Sequence, residues 1–125
     1  MNKKYLIFIG ILIVVIVIFY FVKIRNSFPG AKLPNVVVEL NEEGFVPNEI
    51  TILKGQSVTW KTTRGKQFWP ASNLHPSHGI YPEFDPLEPV PANESWTFRF
   101  DKVGNWKYHD HLSPFYRGVV NVVAN

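Results

Sequence analysis

The chain has no cysteine among its 125 residues. That removes disulfides, thiolate metal sites, thiol nucleophiles and a cysteine-linked lipid anchor together. It also lacks charge where charge is most informative. From Tyr5 to Val22, "YLIFIGILIVVIVIFYFV", no residue is charged. Lys3 and Lys4 precede this run, and Lys23 and Arg25 follow it. An unbroken apolar stretch of this length is long enough to span a bilayer as a helix. No small-residue A-x-A-like site follows it, so an uncleaved anchor is expected over a cleaved signal peptide. The formal net charge of +3 owes itself to those four flanking cations. Without them the chain is close to neutral and slightly acidic, which excludes a basic nucleic-acid surface. No stretch after the anchor carries a helical stripe of apolar residues.

What is present instead has a period of two. "NVVVEL" (35–40), "EITIL" (49–53), "SVTWKT" (57–62), "SWTFRF" (95–100), "NWKYHDH" (105–111) and "RGVVNVV" (117–123) alternate or are β-branched. Turn signals such as "LKGQ", "PANE" and "DKVGN" separate them. Residues 1–25 are therefore expected to form a membrane anchor or signal, 26–34 ("NSFPGAKLP") a linker, and 35–125 an all-β sandwich of six or seven strands. The irregular stretch from Thr63 to Asn93 carries six of the chain's prolines, and loops of that length are usually functional.

Histidine is rationed and paired. Only four are present, in "HPSH" (His75, His78) and "HDH" (His109, Asp110, His111). Alternation along a strand places His109 and His111 on one face and Asp110 on the other. A turn at Pro76 lets His75 and His78 converge. Four imidazoles without a thiolate suit Cu(II), with Zn(II) as runner-up, better than a hard cation. Each histidine alone has an ordinary reading as a hydrogen-bonded strand or loop residue; two close pairs and no stray histidine point to a metal site. Glu83 or Asp85 in "GIYPEFDP" could orient a ligand imidazole, or be solvated turn acids. Asp110 could ligate, hydrogen-bond behind the site, or only fill space. Trp69 could wall the site or be a core aromatic. Asn93-Glu-Ser95 matches a glycosylation sequon and is read as incidental.

Two stretches carry a family resemblance. "GFVPNEITILKGQSVTW" is similar to the opening of small cupredoxins through Phe45, Pro47, Ile50, Ile52, Gly55, Val58 and Trp60. "ANESWTFRFDKVGNWKYHDHLSPFYRGVVNVV" resembles their closing half. The resemblance implies a Greek-key β-sandwich with a metal at one end, and a role in electron transfer. The blue-copper ligand positions are vacant, however: Asp110 falls on the cysteine, Ser113 on the histidine and Tyr116 on the methionine, with Gln67 or Phe68 near the first histidine. The order His75-Pro-Ser-His78, then Gly104-Asn-Trp106-Lys-Tyr108-His109-Asp-His111, resembles instead the histidine pattern of multicopper oxidase domains. That implies His75, His78, His109 and His111 as metal ligands. Four histidines cannot supply the eight of a trinuclear cluster, which leaves a mononuclear site.

The resulting expectation is a membrane-anchored, extracytoplasmic copper protein acting in electron transfer or copper handling, with a redox or copper-donor protein as partner. The rival readings are a metal-free interaction module on the same scaffold and a small copper redox enzyme or subunit. No serine, histidine and acid arrangement suggests a hydrolase.

Overall fold

The computed structural model describes residues 2–27 and 34–125. The chain divides into two units, Met1–Lys32 and Leu33–Asn125. In the first, helix α1 (Lys3–Ser27) runs two residues beyond the expected anchor boundary. Its segment Lys3–Lys23, 21 residues, is long and apolar enough to cross a membrane. The proposed linker falls mostly on residues 28–33, outside the described residues.

The second unit is a sandwich of two four-stranded sheets. Its strands are β1 (Val36–Leu40), β2 (Phe45–Val46), β3 (Glu49–Leu53), β4 (Ser57–Thr62), β5 (Pro70–Ser72), β6 (Ser95–Arg99), β7 (Gly104–Asp110) and β8 (Ser113–Val123). One sheet has the order β2-β1-β4-β6, the other β3-β8-β7-β5. Six strands fall where the alternation puts them. The other two, β2 and β5, are two and three residues long, too short to show a period. Strand β5 also begins with a proline, which an edge strand tolerates because one side of its backbone has no ladder to make.

The period of two explains the core. Val38 and Leu40, Ile50 and Ile52, Val58 and Trp60, and Val120 and Val122 are buried, while Glu49, Thr51 and Lys61 between them face water. The parallel pairing of β3 with β8 sets Ile50 beside Val120 and Ile52 beside Val122. A one-residue slip would turn each of these side chains outward. Trp60 sits at the centre. Its ring lies 5.6 Å from Trp96 of its own sheet and 5.6 Å from Tyr108 of the facing one. Opposite Tyr108 in the ladder stands Gly118. A Cβ there would lie 2.4 Å from the tyrosine ring, so only glycine fits. In the turn between β3 and β4, Gly55 takes φ +87°, the left-handed region that glycine enters freely.

The long stretch after β5 is not peripheral to this core. Tyr81 and Phe84 are buried in it, with Phe84 4.9 Å from Trp60. Two strong apolar contacts therefore fix the loop that carries His75 and His78.

Candidate metal centre

The four histidines meet at one end of the second sheet. One ring nitrogen from each of His75, His78, His109 and His111 lies within 4.8 Å of the other three. His75 Nδ1 is 3.1 Å from His109 Nε2, and His78 Nε2 is 2.9 Å from His111 Nδ1. Metal–nitrogen bonds of about 2.0–2.1 Å at right angles bring neighbouring donors roughly 3 Å apart, so both spacings suit a shared ion.

Local structure explains how each ring arrives. His109 lies on β7, opposite Ala71 of β5 and Arg117 of β8. The register shifts between His109 and Asp110, and β7 ends there. His111 is thus in the turn beyond the strand, not on it as the alternation predicts. Its N–H donates to the Trp69 carbonyl at 2.7 Å, and this bond returns its ring to the cluster. The first pair sits on a knot of hydrogen bonds around Ser72. That hydroxyl is 2.7 Å from the His78 carbonyl and 2.9 Å from the Tyr81 carbonyl. The Ser72 N–H donates to Phe84 O, and Ile80 N–H donates to Asn73 O. His78 itself takes φ 52°, a left-handed conformation uncommon outside glycine, which histidine enters more readily than most side chains.

The outer partners decide which nitrogens offer lone pairs. His78 Nδ1 is 2.5 Å from Asp85 Oδ2. A carboxylate only accepts, so the proton is on Nδ1 and Nε2 faces the cluster bare. His109 Nδ1 donates to Asn73 Oδ1 at 2.9 Å, which likewise frees its Nε2. Asp85 is fixed in turn. Its Oδ1 accepts from Trp69 Nε1 at 2.7 Å and from Leu87 N–H at 2.8 Å. Burial pushes the Asp85 carboxyl up, but the bonds from His78, Trp69 and Leu87 outweigh it and hold the group below its ordinary range. Trp69 also covers one side of the cluster, its ring 4.6 Å from that of His111.

Two of the rings, His109 and His111, are biased toward the neutral form. Burial, with the neighbouring histidines and Arg117, drives His109 down to about 4. Burial also lowers His111, with His78 and His75 adding to the effect. Neutral imidazole is the form that ligates. His78 and His109 are buried, whereas His75 is exposed and His111 half-exposed, so the cluster opens to solvent along one edge.

The structure sorts the acids named from the sequence. Asp85 orients His78. Glu83 is elsewhere: exposed, it accepts from Lys102 Nζ at 2.9 and 3.0 Å. Asp110 is fully buried and points away from the cluster. Its Oδ1 accepts from Trp69 N–H at 2.8 Å and Leu112 N–H at 3.3 Å, and its Oδ2 faces Arg64 Nη1 at 3.4 Å. Of its three sequence readings, the hydrogen-bonding one describes it. Asn73 and Arg64 were not foreseen. A lone amide before "LHPSH" and a lone arginine after a strand carry no sequence signal.

No family model matches the sequence, and no curated protein matches it. Solved structures do. The purple cupredoxin of Nitrosopumilus maritimus superimposes with a TM-score of 0.60 at 16% identity, over 70% of this chain and 99% of that one. Amicyanin from Paracoccus versutus gives 0.62 at 24% identity, over 74% of this chain and 85% of that one. A copper-containing nitrite reductase from Thermus scotoductus gives 0.61 at 18% identity, and this chain spans 22% of it. Two sheets in this order, closed over one aromatic core, thus match these structures in shape: the sandwich is a cupredoxin fold, carried by a chain that has no cysteine.

Proposed function

We propose that this chain is a membrane-anchored copper protein with one mononuclear, type 2-like site held by His75, His78, His109 and His111, acting in electron transfer. The observation that carries the reading is the convergence of four imidazole nitrogens within 4.8 Å, two of them oriented by Asp85 and Asn73. Ligands held by outer partners are the mark of a built metal site. All-nitrogen donors favour Cu(II) over Zn(II) by intrinsic affinity. Copper there would supply a Cu(II)/Cu(I) couple. The chain's part is to hold four neutral donors in fixed positions and to leave the His75 edge open to a partner. The fold, shared with copper proteins, favours electron transfer by analogy.

A second reading, copper capture and delivery, is favoured by one feature. His75 is exposed, so a donor or acceptor protein could exchange the ion through that ligand. Helix α1 supports anchoring, with the sandwich on the extracytoplasmic side and Met1–Lys4 inside. Full-length protein then stays in the membrane fraction at high salt; a soluble form beginning near Ser27 would identify a cleaved signal.

The test is metal content and electron paramagnetic resonance of the full chain in detergent, loaded with Cu(II) or Zn(II). One copper per chain with wide hyperfine splitting and only weak colour is expected. His75→Ala and His109→Ala should each abolish tight binding, and the double variant should be no worse than either, because both act on one site. Binding that persists when all four are replaced would overturn the reading.

A further inference from the structure

The outer face of the second sheet carries a groove that runs from the edge of the histidine cluster along β7 and β8. It consists of two adjoining cavities of about 300 and 200 Å³ that share Asn73 and Arg117. The larger is lined further by Asn48, Glu49, Lys107 and Val119. The smaller ends against His75 and His109. Alternation creates this surface. Tyr108 and Gly118 point into the core, so Lys107 and Arg117 point out. Lys107 stands opposite Val119, and Arg117 opposite His109. The two cations are therefore diagonal neighbours on one face, about 7–8 Å apart at their bases, and both side chains are long enough to close on one group.

Their charges are not met from within. Among the described residues, Lys61, Arg64, Arg99 and Lys102 have acidic partners. Lys107 has none, and Arg117 makes one bond, from Nε to the Pro114 carbonyl at 3.2 Å. That leaves the terminal guanidinium N–H groups pointing into the groove's solvent. The one acid lining it, Glu49, is engaged through Oε1 by Asn121 Nδ2 at 2.8 Å. Two amides, Asn48 and Asn73, add neutral donors. Paired cations, amide donors and a concave floor make up an oxyanion site.

We propose that this groove binds a small molecule bearing a carboxylate or phosphate group, with Arg117 and Lys107 holding the anion and Asn73 and Asn48 completing its hydrogen bonds. Asn73 then serves two sites at once, since its Oδ1 holds His109 while its amide N–H₂ faces the groove. The anion's contacts need no copper, so the site is testable in metal-free protein.

The experiment is a two-dimensional NMR titration of the full, metal-free chain in zwitterionic detergent. Inorganic phosphate and, separately, acetate replace chloride at constant ionic strength. Saturable shifts are expected at Asn73, Lys107, Arg117 and Val119. Arg117→Gln and Lys107→Gln should each weaken the apparent affinity about tenfold, the loss of one charge-assisted bond. Lys66→Gln, which removes an unpaired cation outside the groove, should change nothing. Shifts that stay linear, or that are indifferent to the Arg117 and Lys107 variants, would overturn the proposal. So would a groove that responds to vesicles of anionic lipid and not to either free anion, because the partner would then be a membrane surface.

Discussion

The end of β7 presents two faces that use adjacent polar residues in opposite ways. On one side His109 joins three other imidazoles whose lone pairs point inward to a common centre. On the other, Asp110 meets the Trp69 and Leu112 N–H groups and Arg64, and every oxygen is taken. The Arg64 guanidinium also lies 4.9 Å above the Tyr116 ring. One face gathers donors that converge on a common point, which is an invitation to a cation. The other already holds its cation, in the form of an arginine. Adjacent residues can differ this much because a strand sends them to opposite sides, and here the inner side is sealed by the sandwich. Satisfied groups make structure; convergent unsatisfied ones make a binding site.

The largest way to break this contrast is to unbalance the sealed face. Arg64→Ala leaves the Asp110 charge buried and should cost about 3 kcal/mol of stability. Urea denaturation of metal-free protein reads it out. Arg64→Met combined with Asp110→Asn should recover much of the loss, and copper stoichiometry should stay at one per chain in both. A loss of copper in Arg64→Ala protein that is still folded would mean that the two faces are not independent.

Next in size is the outer support of the open face. Asp85→Asn removes the charge that orients His78 and should weaken Cu(II) binding about 10–100-fold, measured by competition with a chelator. Stability without metal should change less, because an asparagine oxygen can still accept from Trp69 Nε1 and Leu87 N–H.

A smaller and graded effect comes from pH. His109 has its ordinary value, 6.5, when unfolded and about 4 when folded. Between these values the unfolded chain binds the extra proton, so stability is present above 6.5 and falls as pH falls toward 4. His109→Gln should flatten that slope in metal-free protein. A slope unchanged by the variant would place the titration elsewhere.

The smallest expected effect is the sharpest on geometry. Asp110→Cys puts a thiol on the sealed side, away from the face where His109 and His111 would hold copper. The copper spectrum should be nearly unchanged. A strong new charge-transfer band would show that the two faces share one metal position.

The sequence made most of the scaffold legible because long strands have a readable period and the core aromatics follow it. It also exposed the cluster, since four paired histidines with none elsewhere are hard to explain otherwise. It failed where the outcome depended on contacts distant in the chain. The bulge after His109 moved His111 off the strand, yet a bond to Trp69 restored its place. Glu83 and Asp85 look alike in "PEFDP", and only the fold turns one to His78 and the other to Lys102. Asn73 and Arg64 have meaning through partners 36 and 46 positions away.

Ser72, whose hydroxyl ties the backbones of His78 and Tyr81, has a consequence for motion. Composition alone would make the proline-rich stretch around His75 and His78 the first part of the sandwich to open. But its backbone is bonded into β5, and Tyr81 and Phe84 sit among the core rings. Opening it means extracting two aromatics from the centre, an event close in free energy to unfolding the whole sandwich. The amide hydrogens of Ser72, Ile80 and Phe84 should therefore exchange with solvent deuterium almost as slowly as those of β4, and the ligands they carry should wait in place, already assembled, before any ion arrives.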